Sequence, residues 1–394
     1  MKRRAMSAVV LVLPTLATAM WAGQAQGAPP KQSARGAGQC GSEAPIPKLL
    51  SDPRVIAARE KTKGLLESSP IRKVEGAAAT LDHAVNSWLT ALAQEEANGD
   101  AARPRVTWIT NSSAYQRCGY TIPAANLAFE DPSNIYRFIP VDGGERYVIH
   151  GVRRKPSPAE FSFQLIPASF LPGTSGEDFI ASAPFLSSRD ISVEADGHFT
   201  ITLDNAPANG RKNHLQLPAG RYNLLVRDAL SDWGQRPNEL DVARTGGAPT
   251  SAPPTEKEVA GGVAEHLSAF ASGWLHRLET LYANRTENVM QPPFARSGEW
   301  GYASISRFRL APDEAIIVTL DDAAADFASI QIGDAWGPAA RRSRQLHDCH
   351  VPPQWRRHVH LRHFRDRSSR RQLAEHRRQP GRLDFRPLAG RSSW

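Results

Sequence analysis

The sequence predicts a mainly β protein: jelly-roll-like β-sandwich units, the second one incomplete, with an N-terminal helical segment and a connecting helix. Three observations carry this. Between Ile135 and Arg227, short runs alternate apolar and polar residues with period two, and turn signals recur roughly every ten residues. Two other stretches step their apolar residues by three or four, the spacing of one helix face. After the second of these, the strand pattern of the first β region starts again.

The chain opens with Lys2, Arg3 and Arg4, then an apolar run from Ala8 to Ala19, then small residues suited to cleavage after Ala25 or Gly27. That is the pattern of a signal peptide over 1–25, too short to serve as a bilayer span. A secreted or periplasmic protein with no stable membrane span after cleavage is expected. Residues 26–47, rich in Gly, Ala, Pro and Ser, read as a flexible leader. Export permits disulfides, and Cys40 with Cys118 is the candidate pair.

Residues 48–130 form the helical region. Leu81, Val85, Trp88, Leu89 and Leu92 define one apolar face of a helix that stops near Asn98 and Gly99. The first β unit spans 131–244. Its expected strands are Ile135–Ile139, Glu145–His150, Glu160–Leu165, Asp190–Glu194, His198–Leu203, Leu215–Leu217 and Tyr222–Arg227, with Asp196 and Gly197 as a tight turn. A Gly-, Ala- and Pro-rich linker follows over 245–254. The connecting helix, 255–286, starts with a capping box from Thr255 to Glu258. Its stripe of Val259, Val263, Leu267, Phe270, Trp274, Leu278 and Leu281 is expected to cover a sheet of its own chain. The truncated second β unit is 297–338: Phe308 to Thr319 parallels Tyr136 to Ile149, and Phe327 to Ile332 parallels Phe161 to Leu165.

Charge is the misleading property. The chain holds 48 Lys plus Arg against 40 Asp plus Glu, a net of +8, which invites a nucleic-acid reading. Yet residues 341–394 alone contribute 15 Arg and only four acids, together with six of the 12 His. Such a tail reads as disordered, and a metal cluster could be drawn from His347, Asp348, Cys349 and His350. A shift of reading frame explains more. Read one base later, a permitted codon choice for Gln354 to Asp366 gives N-G-D-G-T-Y-T-Y-V-I-S-A-T, a turn and an alternating strand. Arg382 to Gly390 likewise give G-W-I-S-V-R-W-Q. These shifted strings match the first unit from Ala195 to Thr202 and from Tyr222 to Asp228, in the same order. We therefore expect 339–394 to be an out-of-frame, disordered tail without nucleic-acid function. Without the tail the net charge is −3, and without the signal peptide's three cations −6.

Asp131 to Tyr136, Leu224 to Trp233 and Ser329 to Trp336 resemble bacterial exported proteins carrying the domain of unknown function numbered 1214, often found beside its relative numbered 1254. The resemblance runs from about Asp131 to Trp336, and the shifted T-Y-T-Y-V-I and A-N-W look like the family's usual ending. It implies a β-rich, jelly-roll-like fold and little chemistry.

No nucleophile elbow, phosphate loop, zinc-protease helix or dinucleotide fingerprint is present. His150, His198 and His214 lack the spacing of a ligand set, so neither metal nor cofactor is expected. The most site-like residues are Arg227, Asp228, Asp232 and Trp233 with Asp334 and Trp336, since tryptophan beside charged groups can grip a sugar or small polar aromatic. The competing reading places both tryptophans in the core and pairs Arg227 with an acid. The expected function is an exported, non-catalytic binding or structural protein for a small molecule or carbohydrate. The alternative is a hydrolase-like enzyme, which needs two of Asp228, Asp232 and Asp334 to converge within roughly ten ångströms. The oligomeric state is left open.

Overall fold

The computed structural model describes residues 45–110, 114–117, 119–168, 183–247, 249, 251–295, 301–310, 315–320, 325–337, 359–364 and 385–387. The expected signal peptide and disulfide pair, Cys40 and Cys118, lie outside the described residues.

Among the described residues the chain is mainly strands in antiparallel sheets, joined by four α-helices. Helices α1 (Ile46–Leu50) and α2 (Pro53–Ser68) come first; Asp52 caps α2 by accepting the Arg54 N–H at 2.9 Å, with proline at the first turn. Helix α3 (Ala77–Ala97) buries the whole predicted face from Leu81 to Leu92 and is capped by Asn98. Helix α4 (Glu256–Arg277) begins with both halves of the predicted capping box and ends in a π-turn, Leu278–Tyr282.

Its apolar face does not cover a sheet. Val263, Leu267, Phe270, Trp274 and Leu278 instead join the buried faces of α1 to α3 in one helical core, with Trp88 edge-on to Phe270 at 5.5 Å. The period-3.6 pattern specifies that a stripe is buried but not what buries it.

The first β unit is a two-sheet sandwich. One sheet runs β1 (Thr107–Trp108), β4 (Asn134–Asp142), β10 (Arg221–Ala229), β6 (Glu160–Pro167), β7 (Phe185–Ser187); the other runs β11 (Glu239–Arg244), β5 (Tyr147–Val152), β8 (His198–Asp204), β9 (His214–Gln216). A two-stranded ribbon, β2 (Tyr115–Arg117) with β3 (Tyr120–Ile122), stands apart. Ile139, Val141, Phe161, Phe163, Leu224 and Val226 of the first sheet meet Ile149, Phe199, Ile201 and Leu203 of the second. Alternation along each strand then fixes the outer face of the first sheet: Tyr136, Phe138, Gln164, Asn223, Leu225 and Arg227. Gly151 is required by the close approach of Phe199, whose ring lies 2.1 Å from where a Cβ would sit.

The sequence expectation fails at Asp190–Glu194, which forms no strand. Asn213, at φ +50°, takes both backbone groups of Ser192, accepting its N–H at 2.7 Å and donating to its carbonyl at 2.8 Å. A side chain thus supplies what a ladder would have, and β7 takes the edge of β6. Phe327–Ile332 also fails as a strand: Ser329 bonds to Asp131 and Gln331 to the Phe129 carbonyl, so this segment is tied to a loop.

The second unit contains the hairpin β12 (Phe294–Ala295) and β13 (Tyr302–Ala303), and a sheet of β15 (Val359–Phe364), β14 (Ala315–Leu320) and β16 (Phe385–Pro387). Two pieces of the expected disordered tail are therefore strands. Their antiparallel order around β14 matches β8 and β11 around β5. Topologically β16 takes the place of β11, whereas the sequence match had set its residues against β10.

Candidate functional site

The six residues proposed from sequence do not form one site. Arg227 and Asp228 are neighbours on β10 and so point to opposite faces. Asp228 is fully buried between the sheets, ion-paired with Arg137, and accepts from the Asn238 N–H at 2.9 Å and the Asn238 amide at 2.7 Å. Arg137 in turn donates to the Asn238 carbonyl at 2.7 Å, so the cluster pins that loop to the sandwich. Burial pushes the Asp228 carboxyl up, while Arg137 and Asn238 hold it down.

On the outer face, Arg227 donates to Gln164 Oε1 at 2.9 Å and lies 5.8 Å from the centroid of the Tyr136 ring. Glu130 stands near it. Burial raises that carboxyl, and the Leu127 and Ala128 N–H groups at 3.0 and 2.7 Å hold it in place. Asp232 and Trp233 sit in an exposed turn, where Asp232 accepts the Gly234 N–H at 2.6 Å.

Asp334 and Trp336 belong to the helical core. Trp336 is wholly buried, donates its indole N–H to the Ala77 carbonyl at 2.8 Å, and accepts the Trp274 indole N–H on its own carbonyl at 2.7 Å. Asp334 shapes the turn before it by accepting the Trp336 N–H at 2.9 Å, and burial pushes its carboxyl up to about 6. Gly337, at φ +107°, lets the Trp274 ring approach to 2.9 Å of the absent Cβ. Both residues are fastenings of the core.

His150, His198 and His214 lie on three neighbouring strands of the second sheet. His150 faces Thr200, and His214 is buried among Thr202, Arg211 and the Ala206 carbonyl. Among the described residues no group of three or more His, Cys, Asp or Glu is arranged to hold a metal ion.

A different place has the character of a site. At the C-terminal end of α3, a cavity of about 370 Å³ opens between the helix and the outer ends of β4 and β10. Ala101, Pro140 and Ala168 give it apolar surface and Glu95, Glu96, Arg221 and Asn223 polar walls, while Val141 and Tyr222 border it and turn their side chains into the sandwich core. The Asn223 amide, itself buried, donates to Glu95 Oε1 at 2.5 Å. Glu96 meets His266 Nδ1 of α4 at 3.0 Å, and Gly262 leaves the space its carboxylate needs. Arg221 turns its guanidinium to the Gly99 carbonyl at 3.0 Å. Burial, with Glu96 adding repulsion, pushes the Glu95 carboxyl up to about 7 despite His266 and Asn223.

The sequence carried a signal for this place. Two adjacent glutamates occupy the last turn of α3, which contains no basic residue. That end of a helix carries partial negative charge and favours cations. Such local conflicts concentrate at functional sites.

No family model matches the chain, and no curated protein matches it. Its fold is similar to the crystal structure of an uncharacterized protein from Burkholderia cenocepacia, with a TM-score of 0.62 at 18% identity over 82% of this chain and 89% of that one. A crystal structure from Vibrio parahaemolyticus aligns at a TM-score of 0.31 and 12% identity, over 62% of this chain and 81% of that one. What the first likeness establishes is the architecture: a β-rich fold with helices, shared with an uncharacterized bacterial protein.

Proposed function

We propose that the chain is an exported, non-catalytic binding protein that takes a small polar ligand in the cavity at the end of α3. One observation carries this reading: a carboxylate with raised proton affinity lines an open cavity of about 370 Å³, within the size range of small-molecule pockets. The hydrolase alternative receives no support from the three aspartates. Asp228 lies between the sheets, Asp334 in the helical core and Asp232 in an exposed turn.

Export rests on the basic, apolar and small-residue succession of the first 27 residues. Among the described residues no helix is long and apolar enough to cross a membrane. Kinship with the family numbered 1214 remains part of the proposal, resting on the three quoted stretches. So does the frame change: β15 and β16 fall on the two stretches whose shifted reading also alternates as strands. Sequencing the DNA over codons 336–394 tests it, and a shifted frame lacking those strand patterns refutes it.

The binding reading is tested by thermal unfolding against a panel of sugars, polyols, amines and carboxylates. A ligand at a hundred times its Kd stabilises by about 2.7 kcal/mol. A rise in Tm that the Glu95→Gln variant loses is the expected result. A panel that leaves Tm unmoved contradicts it.

A further inference from the structure

We propose that Asn209, in the loop joining β8 to β9, is a site of spontaneous deamidation, converted to aspartate and isoaspartate in the folded protein. The other Asn-Gly pair of the chain, at Asn98, is protected by the fold. The site is independent of the Glu95 cavity.

The sequence contains two Asn-Gly pairs, Asn98-Gly99 and Asn209-Gly210. Asparagine is a thermolabile residue, and glycine after it leaves the following backbone nitrogen unscreened by any side chain. That nitrogen gives its proton to hydroxide and attacks Cγ of the asparagine. A C–N bond forms, the Cγ–Nδ2 bond breaks, and the amide nitrogen leaves as ammonia after taking a proton from water. The five-membered imide then adds water at either carbonyl and opens to aspartate or isoaspartate. Water is the only co-reactant.

Structure separates the two pairs. The Arg211 N–H donates to the Ala208 carbonyl at 2.8 Å and closes a turn around Asn209, at φ +45°, and Gly210, at φ +83°. Two central residues of positive φ are the pattern of a type I′ turn. Both residues are exposed, and a Cβ on Gly210 would meet nothing within 4 Å. Among the described residues no partner holds the Asn209 amide or the Gly210 N–H.

Asn98 is the opposite case. It is 8% exposed and its amide donates to the Gln94 carbonyl at 2.8 Å. The Gly99 N–H donates to the Glu96 carbonyl at 3.3 Å, and a Cβ on Gly99 would meet the Glu95 carbonyl at 3.3 Å. Reaction there requires the end of α3 to open first.

Charge favours the same choice. Arg211 and Lys212 follow Gly210 directly, and nearby cations favour the ionised form of its nitrogen. Asp204 holds Arg211 at 2.8 and 3.1 Å, and His214 Nε2 lies 2.9 Å from the same guanidinium.

The test is peptide mapping by mass spectrometry on the purified full chain held at pH 6 and at pH 8, with isoaspartate detected enzymatically. Asn209 should gain one mass unit, faster at pH 8 than at pH 6. It should react about thirtyfold faster than Asn98, the factor set by the two hydrogen bonds that must break at Asn98. In concentrated urea the two pairs should react at equal rates, and this control needs no variant. Asn209 intact in the native protein after the unfolded chain has reacted would overturn the proposal. So would Asn98 keeping pace with Asn209 in the native protein. A gap that persists in urea would overturn it too, since sequence and not the fold would then set the rates.

Discussion

Two polar clusters lie on opposite faces of the same sheet, and they differ in completeness. Between the sheets, Arg137, Asp228 and Asn238 form a closed set in which charge meets charge and the loop backbone is bonded too. Above the other face, Glu95 has one amide donor at the wall of an open cavity. Both involve buried polar groups close to charged neighbours. Only the second borders open volume. Burial of a charged residue alone is thus a poor sign of function; a perturbed carboxyl beside empty volume is a better one.

The largest effect is expected at the closed cluster. Asp228→Ala strands the Arg137 guanidinium in the sandwich, and removing one partner of a buried pair costs about 3–5 kcal/mol. Urea unfolding should show that loss. A loss below about 1 kcal/mol would mean that the cluster is not the scaffold described here.

Trp336→Ala tests the same distinction in the helical core. The indole is fully buried and hydrogen-bonded at both its N–H and its backbone carbonyl, and loss of a buried tryptophan costs about 3–5 kcal/mol. Unfolding by denaturant should register it, with ligand affinity at the Glu95 cavity unchanged in the folded fraction.

The open cluster should reveal itself through pH. Glu95 has a folded-state pKa raised from 4.5 to about 7, so the folded protein holds this proton more tightly than the unfolded chain. Its contribution is fully present below pH 4.5, declines as pH rises, and is gone above about 7. Relative to Glu95→Gln, the wild type should lose on the order of 1–2 kcal/mol across that window, allowing for solvent screening at a half-buried group. Parallel stability curves for the two proteins would contradict it.

The smallest effect is expected from Gly262→Ala. The new Cβ would lie 2.7 Å from Glu96 Oε2, and a side-chain end can move away. Stability should change by less than about 1 kcal/mol, while the Glu96–His266 contact loosens and ligand affinity at the cavity shifts.

Much of the architecture was legible in the sequence because periodicity records burial directly. The α3 face from Leu81 to Leu92, the Thr255–Glu258 capping box and six of the sandwich strands follow from it. The misses share a cause. At Asp190–Glu194 and Phe327–Ile332, side chains of Asn213, Ser329 and Gln331 satisfy the segment in place of a neighbouring strand, and no local pattern encodes that. The candidate site was less legible. Arg227 and Asp228 are adjacent in sequence, yet the pleat sends them to opposite faces. Trp336 had a competing reading as core, and the structure places it there. Glu95 and Glu96 carried a readable conflict with the helix dipole, while their meeting with Asn223 and His266 depends on tertiary contacts more than a hundred residues away.

The central claim, that the Glu95 carboxyl lines a ligand cavity with a raised proton affinity, is tested most directly by the titration of that one carboxyl. With side-chain carboxyl carbon-13 labelling, and Glu95→Gln to assign the resonance, its midpoint should lie near 7 in the free protein and move when a ligand that raises Tm is bound. A midpoint near 4.5, unmoved by any such ligand, would contradict the account.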